Sequence, residues 1–201
     1  MRNSPWFNLL FMLIITAVLT GILSGVYEYA RPVIRSNEEL GIKQAQLYAF
    51  NIDIPTDIST DVIEKLYDEK IKTEQFDGET IYISRTADDQ PQAYGFSFAG
   101  GALWGEVEGV LVLSPDLNRI IGIAFTEQNE TPGLGGMIDE PEFKEQFRGV
   151  DLNSEGDALI YSTSTRQGQV DAITGATLTS NSVLSILNNK IEQIRKAMGG
   201  V

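Results

Sequence analysis

The chain of 201 residues carries 15 Lys and Arg against 28 Asp and Glu, a formal net charge of −13. This acidic balance argues against a nucleic-acid-binding protein, because neutralising phosphates requires a basic face. Cysteine and histidine are both absent. Their absence excludes disulfides, cysteine-held iron–sulfur clusters, the common zinc sites and the Ser-His-Asp triad. Any redox chemistry in this chain is therefore expected to use an organic cofactor.

An uncharged apolar segment, residues 6–27, follows a short N-terminal tail at residues 1–5. The segment is long enough to cross a bilayer once, and Trp6 and Tyr27 mark its ends as interface aromatics do. A cleaved signal peptide is the main alternative, but its apolar region would be shorter, and Leu23-Ser24-Gly25 is a poor cleavage site. We therefore predict a transmembrane helix whose orientation the flanking charges do not decide.

Small residues recur along this segment at Ala17, Gly21 and Gly25, four positions apart on one helix face. Such a face lets a second helix approach closely, although small residues are also common in membrane helices generally. The spacing favours packing against the helices of other membrane subunits.

Residues 28–77 are predicted to form a juxtamembrane helical region. Pro32 predicts an interruption near its start, and Ser36 predicts a new helix beginning there as an N-cap. A short polar helix is expected around residues 60–67.

From residue 78 onward the apolar residues alternate with period two, which is typical of β-strands. The final segment instead shows helical spacing, which predicts a helix over residues 181–198. Helices, antiparallel strands and a closing helix together predict an α+β fold, with one domain over residues 78–201. The strands are predicted at residues 81–83, 94–98, 107–113, 120–125, 158–162 and 168–173.

The first candidate motif is the glycine-rich loop Glu130-Thr131-Pro132-Gly133-Leu134-Gly135-Gly136, which follows a strong strand. Such a loop exposes backbone N–H groups and lets a flat ligand lie on the main chain. It lacks the Gly-Lys-Ser/Thr ending of a phosphate loop, and no helix opens from its glycines as in a dinucleotide fingerprint. On composition alone, a tight structural turn is the more economical interpretation.

The second candidate motif, residues 171–180, joins a strand to the last helix and places three Thr and one Ser near the helix N-terminus. Ordinary capping by Thr179 or Ser180 would explain these hydroxyls. An anion site built from the hydroxyls and the helix dipole explains them equally well.

Asp171-Ala172-Ile173-Thr174-Gly175-Ala176-Thr177, followed by Leu178-Thr179-Ser180, resembles the flavinylation motif of FMN-binding domains. The glycine-rich loop resembles the companion motif of the same family. Both motifs occur in this order in the covalent-FMN subunits of two related respiratory complexes, which also have one N-terminal membrane helix. The two complexes are the Na⁺-translocating NADH:quinone reductase and the Rnf complex.

The resemblance implies that Thr177 carries FMN through a phosphoester bond, installed from FAD by a separate flavin transferase. Gln128 stands where some family members have His, so no catalytic residue is assigned, and no metal ligand is implied. The other implied cofactor-binding residues surround the attachment site or the flavin ring: Asp171, Thr174, Gly175, Ala176, Glu130, Thr131, Pro132, Gly133, Leu134, Gly135, Leu103 and Trp104.

The resemblance further implies a single-pass flavoprotein of the inner (cytoplasmic) membrane, with its soluble domain on the extracytoplasmic side. It would relay electrons through FMN inside an ion-translocating oxidoreductase complex, together with other membrane and redox subunits, and would not be catalytic alone. The resemblance covers both complexes, and the choice between them stays open. The alternative is an anchored non-redox scaffold or ligand-binding module without covalent flavin.

Overall fold

The computed structural model describes residues 5–55, 59–154, 156–161 and 169–198. The chain divides into two compact units, Met1–Leu40 and Gly41–Val201. The first unit consists of the N-terminal part of one long helix, and the second contains the sheet and the remaining helices.

Helix α1 runs from Pro5 to Ala49. It continues through Pro32, so the predicted interruption there and the new helix start at Ser36 are wrong. Proline removes one backbone hydrogen bond at a cost of ~3 kcal/mol, but the helical turns on both sides of Pro32 keep their own bonds. Within the described residues, α1 is the helix long and apolar enough to cross a membrane, with a mean hydropathy of 2.5 in its most apolar window.

The second unit is built on a five-stranded antiparallel sheet whose strands follow one another in chain order. Its strands are β1 (Ile71–Phe76), β2 (Glu79–Arg85), β3 (Pro91–Gly101), β4 (Glu106–Leu113) and β5 (Ile120–Glu127). The four strands β2–β5 were predicted from the alternating apolar residues. Strand β1 was missed because it buries only Ile71 and is otherwise exposed, so it carries no alternation.

Two short strands lie outside this sheet. Strand β6 (Ile160–Tyr161) pairs in parallel with β7 (Gln169–Val170). The two strands fall within the predicted segments 158–162 and 168–173, of which Ser162 and Gly168 lie outside the described residues.

The remaining helices are α2 (Thr60–Lys70), a 3₁₀ turn (Gly135–Asp139), α3 (Pro141–Glu145) and α4 (Thr177–Met198). Helix α4 begins four residues before the predicted start at Asn181. The prediction followed the apolar stripe, whereas the first turn of α4 is formed by the polar end of the second motif. The Ser180 N–H donates to the Ala176 carbonyl at 2.9 Å, which closes that turn.

Strand β4 is buried on both faces, and this places it at the centre of the core. Leu111 and Leu113 pack in a cluster with Leu187 of α4. The alternate residues Val110 and Val112 pack in a second cluster on the opposite face, which includes Leu47 of α1 and Tyr67 of α2. The sheet is therefore flanked by helices on both faces, and the predicted α+β fold is confirmed.

Gly122 of β5 explains how closely the C-terminal end of α1 approaches the sheet. A Cβ at this position would lie 2.5 Å from the carbonyl oxygen of Ala49. Only glycine leaves room for this contact between backbone and backbone.

Candidate functional site

The two motifs, far apart in sequence, meet through one buried hydrogen bond. The hydroxyl of Thr179, in the first turn of α4, donates to the Glu130 carboxylate Oε2 at 2.6 Å. Both side chains are buried, with 1% of Thr179 and 5% of Glu130 exposed. The glycine-rich loop is therefore fixed against the start of the helix that carries Thr177.

A third predicted segment joins this contact at Trp104. Its backbone N–H donates to Glu130 Oε1 at 2.8 Å, while the Glu130 N–H donates to the Gln128 side chain at 2.8 Å. The structure thus brings together the three segments that the family resemblance singled out, around residues 103–104, 130–136 and 171–180. Glu130 lies at their meeting point, with both carboxylate oxygens accepting protein hydrogen bonds.

Gly135 is required by the tight packing around this carboxylate. A Cβ here would lie 2.6 Å from both Glu130 Oε2 and Thr179 Oγ1, well inside van der Waals contact. Gly175 serves a different purpose, since its φ of +81° lies in the left-handed region that favours glycine. It makes the turn that places Thr177 at the start of α4.

The four hydroxyl residues of the second motif differ sharply in exposure. Thr174 and Thr177 are exposed, whereas Thr179 and Ser180 are buried. The Ser180 hydroxyl accepts the Ile173 N–H at 3.0 Å, and the Thr179 hydroxyl is bonded to Glu130. Neither side chain caps α4 as the capping interpretation expected, because the helix begins before both residues. Of these four hydroxyls, Thr174 and Thr177 are the two that a modifying enzyme can reach directly.

The beginning of the second motif is held by Gln146, which directly follows α3. Its side-chain amide accepts the Asp171 N–H at 2.6 Å and donates to the Asp171 carbonyl at 3.0 Å. Sequence reasoning missed Gln146 because a lone glutamine carries no motif. The Asp171 side chain itself is exposed.

Tyr161 supports the motif from β6. Its hydroxyl donates to the Ser180 carbonyl at 2.6 Å. Burial raises the pKa of Tyr161 above its usual value because the phenolate would lose its hydration. Tyr161 therefore stays a neutral hydrogen-bond donor across the physiological pH range.

The electrostatics around Thr177 come from the backbone more than from side chains. The free N–H groups of the first turn of α4 give this end a partial positive charge that favours a phosphate. Arg166, the basic residue closest in sequence before Thr177, lies outside the described residues. No group of side chains suited to a metal ion occurs among the described residues.

Large apolar side chains are exposed on all three segments that meet at Glu130. Leu103 is 49% exposed, Trp104 68%, Leu134 48% and Leu178 64%. Leu103 and Leu178 also line an open groove of about 1110 Å³ beside α4. Exposed apolar side chains grouped in this way are typical of binding surfaces. An isoalloxazine ring, which is flat and largely apolar, suits such a surface, and a phosphate on Thr177 would lie at the helix N-terminus.

The fold and this site together define an FMN-binding domain. Residues 102–192, which contain all three segments, match the family model described as the FMN-binding domain. This match confirms the family resemblance drawn from the two motifs.

Among characterised proteins, the chain is similar to NqrC, the FMN-binding-domain subunit of Na⁺-translocating NADH-quinone reductase. It is 34% identical to the Pasteurella multocida protein over 108 residues, which cover 51% of this chain and 42% of that protein. It is 34% identical to the Pseudomonas aeruginosa protein over 118 residues, covering 54% of this chain and 45% of that protein. The matched region thus spans less than half the length of these relatives.

Solved structures of NqrC share the fold. The crystal structure of the Parabacteroides distasonis protein superposes with a TM-score of 0.69 and 26% identity, covering 85% of this chain and 98% of that one. The Shewanella oneidensis NqrC structure superposes with a TM-score of 0.63 at 16% identity, which supports the fold alone.

Proposed function

We propose that this chain is a membrane-anchored electron-transfer subunit whose FMN is bound covalently to Thr177. The observation that carries the proposal is the position of Thr177. Its side chain is exposed at the N-terminus of α4, beside the glycine-rich loop, within a segment that matches the FMN-binding domain. Bound FMN supplies one- and two-electron transfer chemistry, which the side chains of this chain lack.

Attachment through Thr177 is chemically straightforward. The Thr177 hydroxyl oxygen would form a bond to the FMN phosphorus of FAD, while the phosphoanhydride bond breaks and AMP leaves with the proton. A flavin transferase would supply the base, since no histidine is present in this chain. The exposure of Thr177 gives that enzyme access to the hydroxyl.

A covalent bond also answers the question of how the cofactor is retained. Micromolar binding requires about 8 kcal/mol, and a helix N-terminus contributes about 0.3–1 kcal/mol toward an anion. The exposed apolar side chains around Thr177 form an open surface rather than a deep pocket. A phosphoester makes retention independent of affinity and leaves the surface open to redox partners.

The relatives are subunits of a Na⁺-translocating NADH-quinone reductase. We infer that this chain has the same kind of role, as one electron-transfer subunit of an ion-translocating oxidoreductase complex with other membrane and redox subunits. Residues 6–27 of α1 would anchor it in the cytoplasmic membrane. The juxtamembrane region 28–77 and the FMN-binding domain 78–201 would then lie on the extracytoplasmic side.

The decisive experiment is mass spectrometry of the full chain co-expressed with a flavin transferase. Wild type should carry one FMN on the peptide containing Thr177, and the Thr177→Ala protein should carry none. Thr174→Ala is the matched control, because Thr174 is the other exposed hydroxyl of the motif, and it should retain FMN. A wild-type protein without flavin absorbance would instead favour a non-redox scaffold, and an adduct on Thr174 would reject Thr177.

A further inference from the structure

We infer that Thr179 is a positioning residue for the flavin site. Its hydroxyl holds the glycine-rich loop in register with the first turn of α4 through the buried Glu130 carboxylate. This inference rests on the proposed function, in which Thr177 carries the flavin. Thr179 itself is not expected to touch the flavin or to be modified.

The contact links three segments at a single side chain. Glu130 belongs to the glycine-rich loop, and its two carboxylate oxygens accept one bond from Thr179 and one from the Trp104 backbone. No Lys or Arg pairs with Glu130 among the described residues. A buried carboxylate is costly unless donors satisfy it. The Thr179 hydroxyl is therefore one of two donors that keep this charge stable where it lies.

The geometry of the helix separates the anchoring residue from the flavin-bearing residue. Successive residues of an α-helix are rotated by about 100°, so Thr177 and Thr179 project about 200° apart. Thr177 is exposed and Thr179 is buried, as this rotation requires. One turn of helix can thus present a hydroxyl to solvent and fasten itself to the loop on its other side.

The packing around the contact leaves little room for an alternative arrangement. A Cβ on Gly135 would meet both Glu130 Oε2 and Thr179 Oγ1 at 2.6 Å. The loop can therefore lie against α4 only while Gly135 and the Thr179–Glu130 bond are both present. Leu134 lies next to Gly135, and its Cδ2 would be 3.8 Å from a Cβ on Gly175. The bond consequently sets the distance between Leu134 of the loop and the turn that precedes Thr177.

The test compares Thr179→Val with Thr179→Ser in the full chain. Valine keeps the shape of threonine but removes the hydroxyl and leaves Glu130 Oε2 without its donor, whereas serine retains the donor. We measure the rate of FMN transfer to Thr177 by a flavin transferase, and then the absorbance spectrum and reduction potential of the attached flavin. Transfer should slow by about tenfold in Thr179→Val, with an altered flavin spectrum or potential, and serine should restore both readouts.

The outcomes separate this inference from the proposed function. Wild type that accepts no FMN on Thr177 would overturn the proposed function and the inference together. Wild type that accepts FMN, with Thr179→Val equal to it in rate, spectrum and potential, would overturn the positioning role alone. Thr179→Ser that fails as badly as Thr179→Val would do the same.

Glu130→Gln provides a second variant of almost the same size if Thr179→Val does not fold. The amide offers one acceptor oxygen in place of two, so one of the two bonds to Glu130 is lost. It should slow transfer in the same direction as Thr179→Val. Transfer at the wild-type rate in Glu130→Gln would contradict the inference.

Discussion

At the scale of single residues, the strongest electrostatic contact lies between the end of α1 and α3. Glu145 accepts hydrogen bonds from the Tyr48 hydroxyl at 2.5 Å and from Arg148 at 2.8 and 2.9 Å. Arg148 and then Tyr48 lower the pKa of Glu145 to about 2. Burial, and then the nearby Glu145 carboxylate, raise the pKa of Tyr48 to about 12.

The depressed pKa predicts how stability changes in acid. A carboxyl group whose folded pKa lies below its unfolded value stabilises the fold above the unfolded pKa, and this stabilisation is lost as the pH falls through the folded pKa. For Glu145 the window runs from about pH 4.5 down to about 2. Its side chain is 48% exposed, so solvent screening limits the expected contribution to about 1 kcal/mol.

Glu145→Gln should therefore lower the free energy of unfolding by about 1 kcal/mol at pH 7 and flatten its dependence on pH in this acid window. Urea unfolding of the full chain in detergent, repeated from pH 7 to pH 3, measures both effects. Glu142→Gln changes an exposed carboxylate of the same helix and should leave the pH dependence unchanged. A parallel pH profile for Glu145→Gln and wild type would contradict the assignment.

At the scale of elements, α3 and the second motif are joined by the Gln146 amide. It makes two hydrogen bonds to the backbone of Asp171, the first residue of the motif. The Glu130–Thr179 bond fastens the other end of the same segment. The exposed turn that contains Thr174 and Gly175 is thus held at both ends.

Replacing Gln146 with Leu should loosen the beginning of the motif while leaving its end attached. Two partly exposed hydrogen bonds of about 0.5–1.5 kcal/mol each are lost. We expect the free energy of unfolding to fall by about 1–2 kcal/mol and FMN transfer to Thr177 to slow several-fold. Thermal unfolding and a timed transfer assay give the two numbers.

Gln44→Leu is the matched control, since Gln44 is an exposed glutamine of α1 far from Asp171 in sequence. It should not change the transfer rate. Gln146→Glu adds a second test, because a carboxylate can accept the Asp171 N–H but cannot donate to its carbonyl. Wild-type transfer in both Gln146 variants would show that this tether is dispensable.

At the scale of the whole molecule, the proposed anchor and the FMN-binding domain must lie in defined compartments. The side chains of residues 6–27 are exposed along α1, which suits a lipid-facing helix. The positive charges on either side of this segment do not decide its orientation. The extracytoplasmic placement of the domain therefore comes from the family resemblance alone.

Protease added to intact spheroplasts should digest the domain that follows residue 40, while a cytoplasmic marker protein survives. The cut should be visible with an antibody against the C-terminal region. Full protection in intact spheroplasts, with digestion only after lysis, would place the domain in the cytoplasm. A soluble domain released without α1 would instead support the signal-peptide alternative.

Much of the fold was readable because burial leaves a periodic signal. Strands β2–β5 bury alternating residues, and α4 buries Val183, Leu187 and Ile191 at helical spacing. Strand β1 gave no such signal because it exposes nearly all of its side chains. Pro32 gave a misleading signal because a local helix breaker does not by itself end a long helix.

The sequence by itself determined the apolar segment, the order of most strands, the closing helix and the two motifs that mark an FMN-binding domain. Those features depend on residue type and on spacing within one segment. Only the tertiary structure decided that Glu130 joins both motifs, that Thr177 and Thr174 are exposed, and that Gln146 fixes Asp171. These properties depend on contacts between residues 25 to 49 positions apart, which are created when the sheet and α4 pack together and which local patterns do not encode.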